Sequence, residues 1–196
     1  QGTLALDGWE PAGSLAADPA RFDEVAGLVN ALVGSAVLPA EIGGAGNLEV
    51  NLSGPFDELI LTAHVDAHPL LLPPIAIDRL VADLSVSEEG LRISGAHFQI
   101  GDGSGEIEGR LRWDEAAAED QLQLSTRGSR LPLAAVASWV DLESAVGAGT
   151  FSFDGALRGP LAMPRGSWLV SLEGLMLAGL DVGSASTLIE LEDGRF

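Results

Sequence analysis

Three histidines, His64, His68 and His97, are the side chains best suited to hold a metal or move a proton. His64, Asp66 and His68 together make a donor set that zinc accepts. The spacing that unites i and i+4 is helical, however, and these residues lie in an alternating run that reads as extended. We read them as surface residues. Gly101-Asp102-Gly103-Ser104-Gly105 resembles a phosphate cradle, but such a loop needs a following helix and usually a lysine. A strand pattern follows instead, and all ten basic residues are arginine. One aspartate cannot supply the oxygen shell of calcium either, so the segment reads as a hairpin turn. The acid pairs Glu88-Glu89, Asp114-Glu115 and Glu119-Asp120 fall in turns, where they resemble solvated loop charges more than a buried acid/base couple. No serine stands at a recognised spacing from a histidine, no nucleophile elbow occurs, and there is no cysteine. We expect no catalytic residue, no metal site, no cofactor and no enzyme.

What remains is apolar surface, and strands must position it. Leu48, Val50 and Leu52 alternate with Asn47, Glu49, Asn51 and Ser53 before Gly54-Pro55 breaks the run. Leu59, Leu61, Ala63, Val65 and Ala67 form a second row, and Leu80, Ala82, Leu84 and Val86 a third. Ile107, Gly109, Leu111 and Trp113 form a fourth, and Leu91 to Ile100 continues the sheet. A period of two puts one apolar and one polar row on opposite faces of each strand.

The pattern returns. Gly159-Pro160 follows Gly54-Pro55 by 159 − 54 = 105 residues, and the apolar phase holds on both sides. Phe153 falls on Leu48, Trp168, Val170 and Leu172 on Ala63, Val65 and Ala67, and Ile189 and Leu191 on Leu84 and Val86. A weaker echo sets residues 2–8 against 149–155. The chain reads as repeats of about 105 residues, a phase that a sheet face requires. Residues 1–43 are the end of a preceding repeat plus a helix, 44–148 a full repeat, and 149–196 the start of the next.

Two short helices complete the pattern. Asp18-Pro19 satisfies the chemistry of a helix start, and Phe22, Val25, Ala26, Val29, Leu32 and Val33 then recur at helical spacing. This predicts a helix over about 19–34, after a loop over 9–17 and before a linker over 39–46. A second helix is predicted over about 132–140, after a strand marked by Leu122 and Leu124. The first helix, through Phe22, Val25, Val29 and Leu32, is a candidate lid over the groove.

Composition excludes several functions. With 46% hydrophobic residues the chain is no disordered tail, although its net charge is −19. That charge offers no footprint for nucleic acid and is repelled by anionic bilayers. No apolar run of 18 residues occurs, so no transmembrane span is expected. The chain opens on a strand and stops in mid-repeat, which leads us to expect a segment of a longer protein.

If the sheet curls, one concave face is lined by Leu48, Val50, Leu52, Leu61, Val65, Leu84, Val86, Ile107, Leu111, Trp113, Phe151, Phe153, Trp168, Val170, Leu172, Ile189 and Leu191. Left open, such a face needs an apolar occupant; closed by opposing elements, it is the core of a structural spacer. At this point the residues resemble a known family. Gly54-Pro55-Phe56-Asp57-Glu58-Leu59, Asp78-Arg79-Leu80-Val81-Ala82-Asp83-Leu84-Ser85, Gly90-Leu91-Arg92-Ile93 and Gly105-Glu106-Ile107-Glu108-Gly109-Arg110-Leu111 look like the repeat of TamB and AsmA-like proteins of diderm bacteria. Ser171-Leu172-Glu173-Gly174-Leu175 and Leu188-Ile189-Glu190-Leu191 repeat that phrase. The resemblance implies an elongated, curved antiparallel β-groove, or β-taco, in the periplasm of a protein anchored to the inner membrane. It further implies that phospholipid acyl chains occupy the groove and that an Omp85-type outer-membrane barrel is the partner. The rival readings are a closed spacer or stalk and a carrier of one apolar ligand.

Overall fold

The computed structural model describes residues 2–7, 10–24, 42–55, 58–73, 75–113, 121–137 and 146–192. These are almost entirely strand: β1 (Gly2–Asp7), β2 (Glu10–Arg21), β3 (Gly43–Ser53), β4 (Ile60–Leu72), β5 (Ile75–Ile77), β6 (Arg79–Ser87), β7 (Gly90–Ile100), β8 (Gly103–Arg112), β9 (Leu122–Pro132), β10 (Val146–Gly159), β11 (Arg165–Leu177) and β12 (Leu180–Leu191). Among the described residues, a helical turn at 22–24 and a short helix, α1 (Ala134–Ala137), interrupt them. The chain divides into two compact units, Gln1–Ala96 and His97–Phe196. Each is an open antiparallel meander. The first runs β1–β2–β3–β4–β6 with β5 beside β4 and includes β7 as far as Ala96, and the second takes the rest of β7 and runs β8–β9–β10–β11–β12. The mainly β, antiparallel, unclosed sheet that the alternation predicts is the fold.

Register explains why. Residues opposite each other in antiparallel strands share a face. In the first unit Ala17, Leu48, Val65 and Ala82 form one cross-strand row, and Leu15, Val50, Ala63 and Leu84 the next. In the second unit Ile107, Thr126, Gly155, Trp168 and Ile189 form a row, beside Gly128, Phe153, Val170 and Thr187. A slip of one residue would turn every one of these apolar rows to water.

The repeat survives as geometry. Leu48 faces Val65 and Phe153 faces Val170, and both members differ by 105. Val65 facing Ala82 and Val170 facing Thr187 obey the same offset. The connecting turns match too. Gly54 and Gly159 take φ of 98° and 106°, which only glycine adopts cheaply. The Glu58 N–H donates to Pro55 O at 3.0 Å, and the Met163 N–H to Pro160 O at 3.2 Å.

The strand before each repeat obeys another offset. In β2 the register steps between Ala17 and Ala20, and in β9 between Gly128 and Leu131. The offset is 128 − 17 = 111, which is 111 − 105 = 6 residues more than that of the strands following. The connection from β2 to β3 is longer by that amount. With this offset β1 stands beside β2 as β8 stands beside β9, so residues 2–7 hold the place of β8 rather than of β10.

The first helix starts later than its sequence signals say. Residues 10–21 are strand throughout, including the stretch read as a loop and the Asp18-Pro19 pair read as a helix start. Asp18 and Pro19 occupy the register step of β2, where a proline costs no ladder hydrogen bond. A helical turn begins at residues 22–24, while 25–34, with Val25, Val29 and Leu32, lie outside the described residues. In the second case Leu131 and Pro132 end β9 and the helix starts at Ala134; residues 138–140 are again outside. The linker read over 39–46 gives way to β3 from Gly43.

Candidate functional site

The polar candidates stay on the wet face. His64 and Asp83 are cross-strand partners with Nδ1 and Oδ1 2.7 Å apart. Asp66 accepts two hydrogen bonds from the Arg79 guanidinium, at 2.8 and 3.1 Å. Those hydrogen bonds are the main reason its carboxyl stays below the ordinary value of 3.8. His68 stands 3.9 Å from the same carboxylate, and His97 3.4 Å from Glu106. Asp66 is therefore committed to Arg79, and among the described residues no group of His, Cys, Asp and Glu is placed to hold a metal ion. Residues 101–102 form the turn into β8, as the glycine spacing predicts.

The other face carries the groove candidates. Leu48, Val50, Leu52, Leu61, Val65, Leu84 and Val86 share one face in the first unit. Ile107, Leu111, Phe151, Phe153, Trp168, Val170, Leu172, Ile189 and Leu191 share one face in the second. Trp113 follows the end of β8 and is 49% exposed.

In the second unit six of these, Phe151, Phe153, Trp168, Val170, Leu172 and Ile189, line an open pocket of ≈ 420 Å³ together with Leu133. That volume is within the range of small-molecule sites, and every lining residue is apolar. Phe151 and Phe153 stack with ring centroids 5.9 Å apart. Leu133, which sequence reasoning missed, is held in place because its N–H donates to Gly149 O at 3.0 Å.

Trp168 shapes the floor. Its ring crosses β10 above Gly155, and its indole N–H donates to Thr126 Oγ1 at 2.9 Å, two strands away. A Cβ at Gly155 or Gly166 would collide with that ring, so glycine is what permits it to lie flat. Gly128 does the same for Phe153. The polar end of the tryptophan is satisfied and its apolar body is left to the trough.

The first unit differs at the matching place. Phe22 is buried with Ala67 and Leu70, at 6%, 0% and 4% exposure, and Ile42, Val65, Leu72, Ile77 and Leu80 pack against the cluster. Phe22 is thus the one lid candidate with a described position, and it is a packed side chain. Leu133 holds in the second unit the place that Phe22 holds in the first, since 133 − 22 = 111, an offset that strand register shows and the 105-residue sequence repeat does not.

No helix among the described residues is long and apolar enough to cross a membrane. Compared with protein-family models, with curated proteins and with solved structures, the chain matches none.

Proposed function

We propose that the trough of the second unit takes the hydrocarbon tail of a phospholipid, and that this chain is a non-enzymatic segment of a lipid conduit. The observation that carries this reading is the ≈ 420 Å³ pocket lined by seven apolar side chains on the open face of a sheet. The cross-strand rows around it hold no charged residue at any described position: Thr126, Gly155, Trp168 and Ile189 in one, Gly128, Phe153, Val170 and Thr187 in the next, Leu131, Phe151, Leu172 and Ala185 in the third. A charged ligand would lose its hydration there without compensation, whereas a tail gains about 25 cal/mol per Å² buried. The mechanism is passive: a tail exchanges water for Phe, Trp, Val, Leu and Ile, and the head group stays in water.

The resemblance of the repeat phrase to that of TamB and AsmA-like proteins is what supports the wider setting. In that setting the segment belongs to a protein anchored in the inner membrane, its groove crosses the periplasm, and an Omp85-type barrel receives it at the outer membrane. A second reading, the closed spacer, is favoured by the Phe22 cluster, which packs part of the first unit's face with the chain's own side chains.

Native mass spectrometry of the chain with 1-palmitoyl-lysophosphatidylcholine below its micelle concentration tests the proposal. The expected result is a bound lipid that Val170→Asp removes. A bare chain at saturating lipid rejects tail binding and leaves the spacer.

A further inference from the structure

We propose that the residue immediately after the bulged strand of each repeat, Phe22 in the first unit and Leu133 in the second, decides whether that repeat offers a site for an apolar tail. The inference rests on the tail-binding reading of the second unit and adds a latent site to the first. Both residues follow strands that share a register step, at a constant offset of 111. Both reach the same face, since Phe22 is buried in a cluster with Ala67, against which Val65 packs, and Leu133 lines the pocket with Val170 and Leu172. Val65 and Ala67 are the 105-residue counterparts of Val170 and Leu172.

The two pairs of side chains have opposite sizes. In the first unit a benzyl group lies with Ala67, a floor residue so small that the ring seats fully and Ala67 is 0% exposed. In the second unit an isobutyl group stands near Leu172, and ≈ 420 Å³ remains empty beside it. By the same offset Phe22 holds the place of Leu133 with a larger ring, buried in a cluster with Ala67 and Val65, the counterparts of two residues that line the second unit's pocket. As an internal apolar ligand it covers there part of what a tail would meet. Packed interiors leave few voids, so a trough is either filled by its own chain or available to a guest. The stopper residue sets which.

The test is an equilibrium titration with the neutral fluorophore 1-N-phenylnaphthylamine, small and apolar enough for a pocket of this size. The unaltered chain should bind about one equivalent, Phe22→Ala about two, and Leu133→Phe close to none. Circular dichroism checks that each variant keeps its sheet. Should Phe22→Ala lose it, Leu133→Phe decides alone, because it removes nothing from a core. One equivalent in Leu133→Phe, an unchanged count in folded Phe22→Ala, or no binding to the unaltered chain overturns the proposal. Displacement of the fluorophore by 1-palmitoyl-lysophosphatidylcholine is read separately. Its failure counts against lipid tails and leaves the stopper judged by the fluorophore counts.

Discussion

The two units are the same register written with different volumes. Where the first unit sets Leu15, Val50 and Ala63 in a row, the second sets Thr126, Gly155 and Trp168. Where the first has Leu61, the second has Gly166, again 105 residues on. The first row spreads its bulk evenly over three aliphatic side chains. The second gathers it into one indole laid flat over glycine and tied to a threonine hydroxyl. A sheet tolerates both because the backbone ladder is indifferent to which strand supplies the volume. The consequence differs: the first unit packs Phe22 against this face, and the second keeps a trough. Repeats of one fold thus need not repeat one job.

The largest expected effect comes from the matched valines. Val65 packs against the Phe22 cluster, and Val170, its counterpart, lines the open pocket. Val65→Asp places a carboxylate among packed apolar groups and should cost about 3 kcal/mol or more. Val170→Asp lets the carboxylate keep water, so about 1 kcal/mol is expected. Urea denaturation of both variants measures the difference, and equal losses would erase the distinction between a packed and an open unit.

The tryptophan floor gives the next largest. Gly166→Ala puts a Cβ against the far edge of the Trp168 ring and should cost about 2 kcal/mol. In a Trp168→Ala background the ring is gone and the Ala156 carbonyl oxygen is the close neighbour left, so the same substitution should cost about 1 kcal/mol. Additive losses would mean that glycine is required there by the backbone alone, and that the ring does not govern the floor.

Much of this was legible in the residues. The period-two rows and the 105-residue repeat are readable because a one-residue slip would expose a whole face, so the sequence must encode phase strictly. The trough-facing sides of β3, β4, β6, β10, β11 and β12 follow from that alone. Residues 10–21 were harder. Their small side chains carry weak alternation, and pairing on both sides makes them strand regardless. Asp18-Pro19 satisfies a helix start and a bulge equally well, and only the neighbouring strand decides. The difference between Phe22 and Leu133 was hidden behind the six extra residues that follow β2. The reach of Trp168 over Gly155 to Thr126 joins three strands, which no local pattern records.

The smallest effect lies on the wet face, where each unit offers a cross-strand arginine–carboxylate pair for comparison. In the first, Arg79 grips Asp66 through two hydrogen bonds, and the carboxylate side chain is 23% exposed. In the second, Arg127 reaches Asp154 through one at 2.7 Å, with both side chains more than half exposed. The hydrogen bonds from Arg79 lower the Asp66 pKa in the folded chain, so the unfolded chain takes up the proton first as pH falls. The contribution of the pair is therefore complete above the ordinary carboxyl value of 3.8 and is lost as pH drops from there through the lower folded value. Asp66→Asn should remove that part of the acid limb and lower the melting temperature at neutral pH by about 1–2 °C, since solvent screens so exposed a pair. Asp154→Asn should move it less, because a single bond between exposed groups is more fully screened. Melting curves from pH 2 to 7 measure both, and an Asp66→Asn curve that parallels the unaltered chain through the acid limb would show that two hydrogen bonds on this face hold the first unit no better than one holds the second.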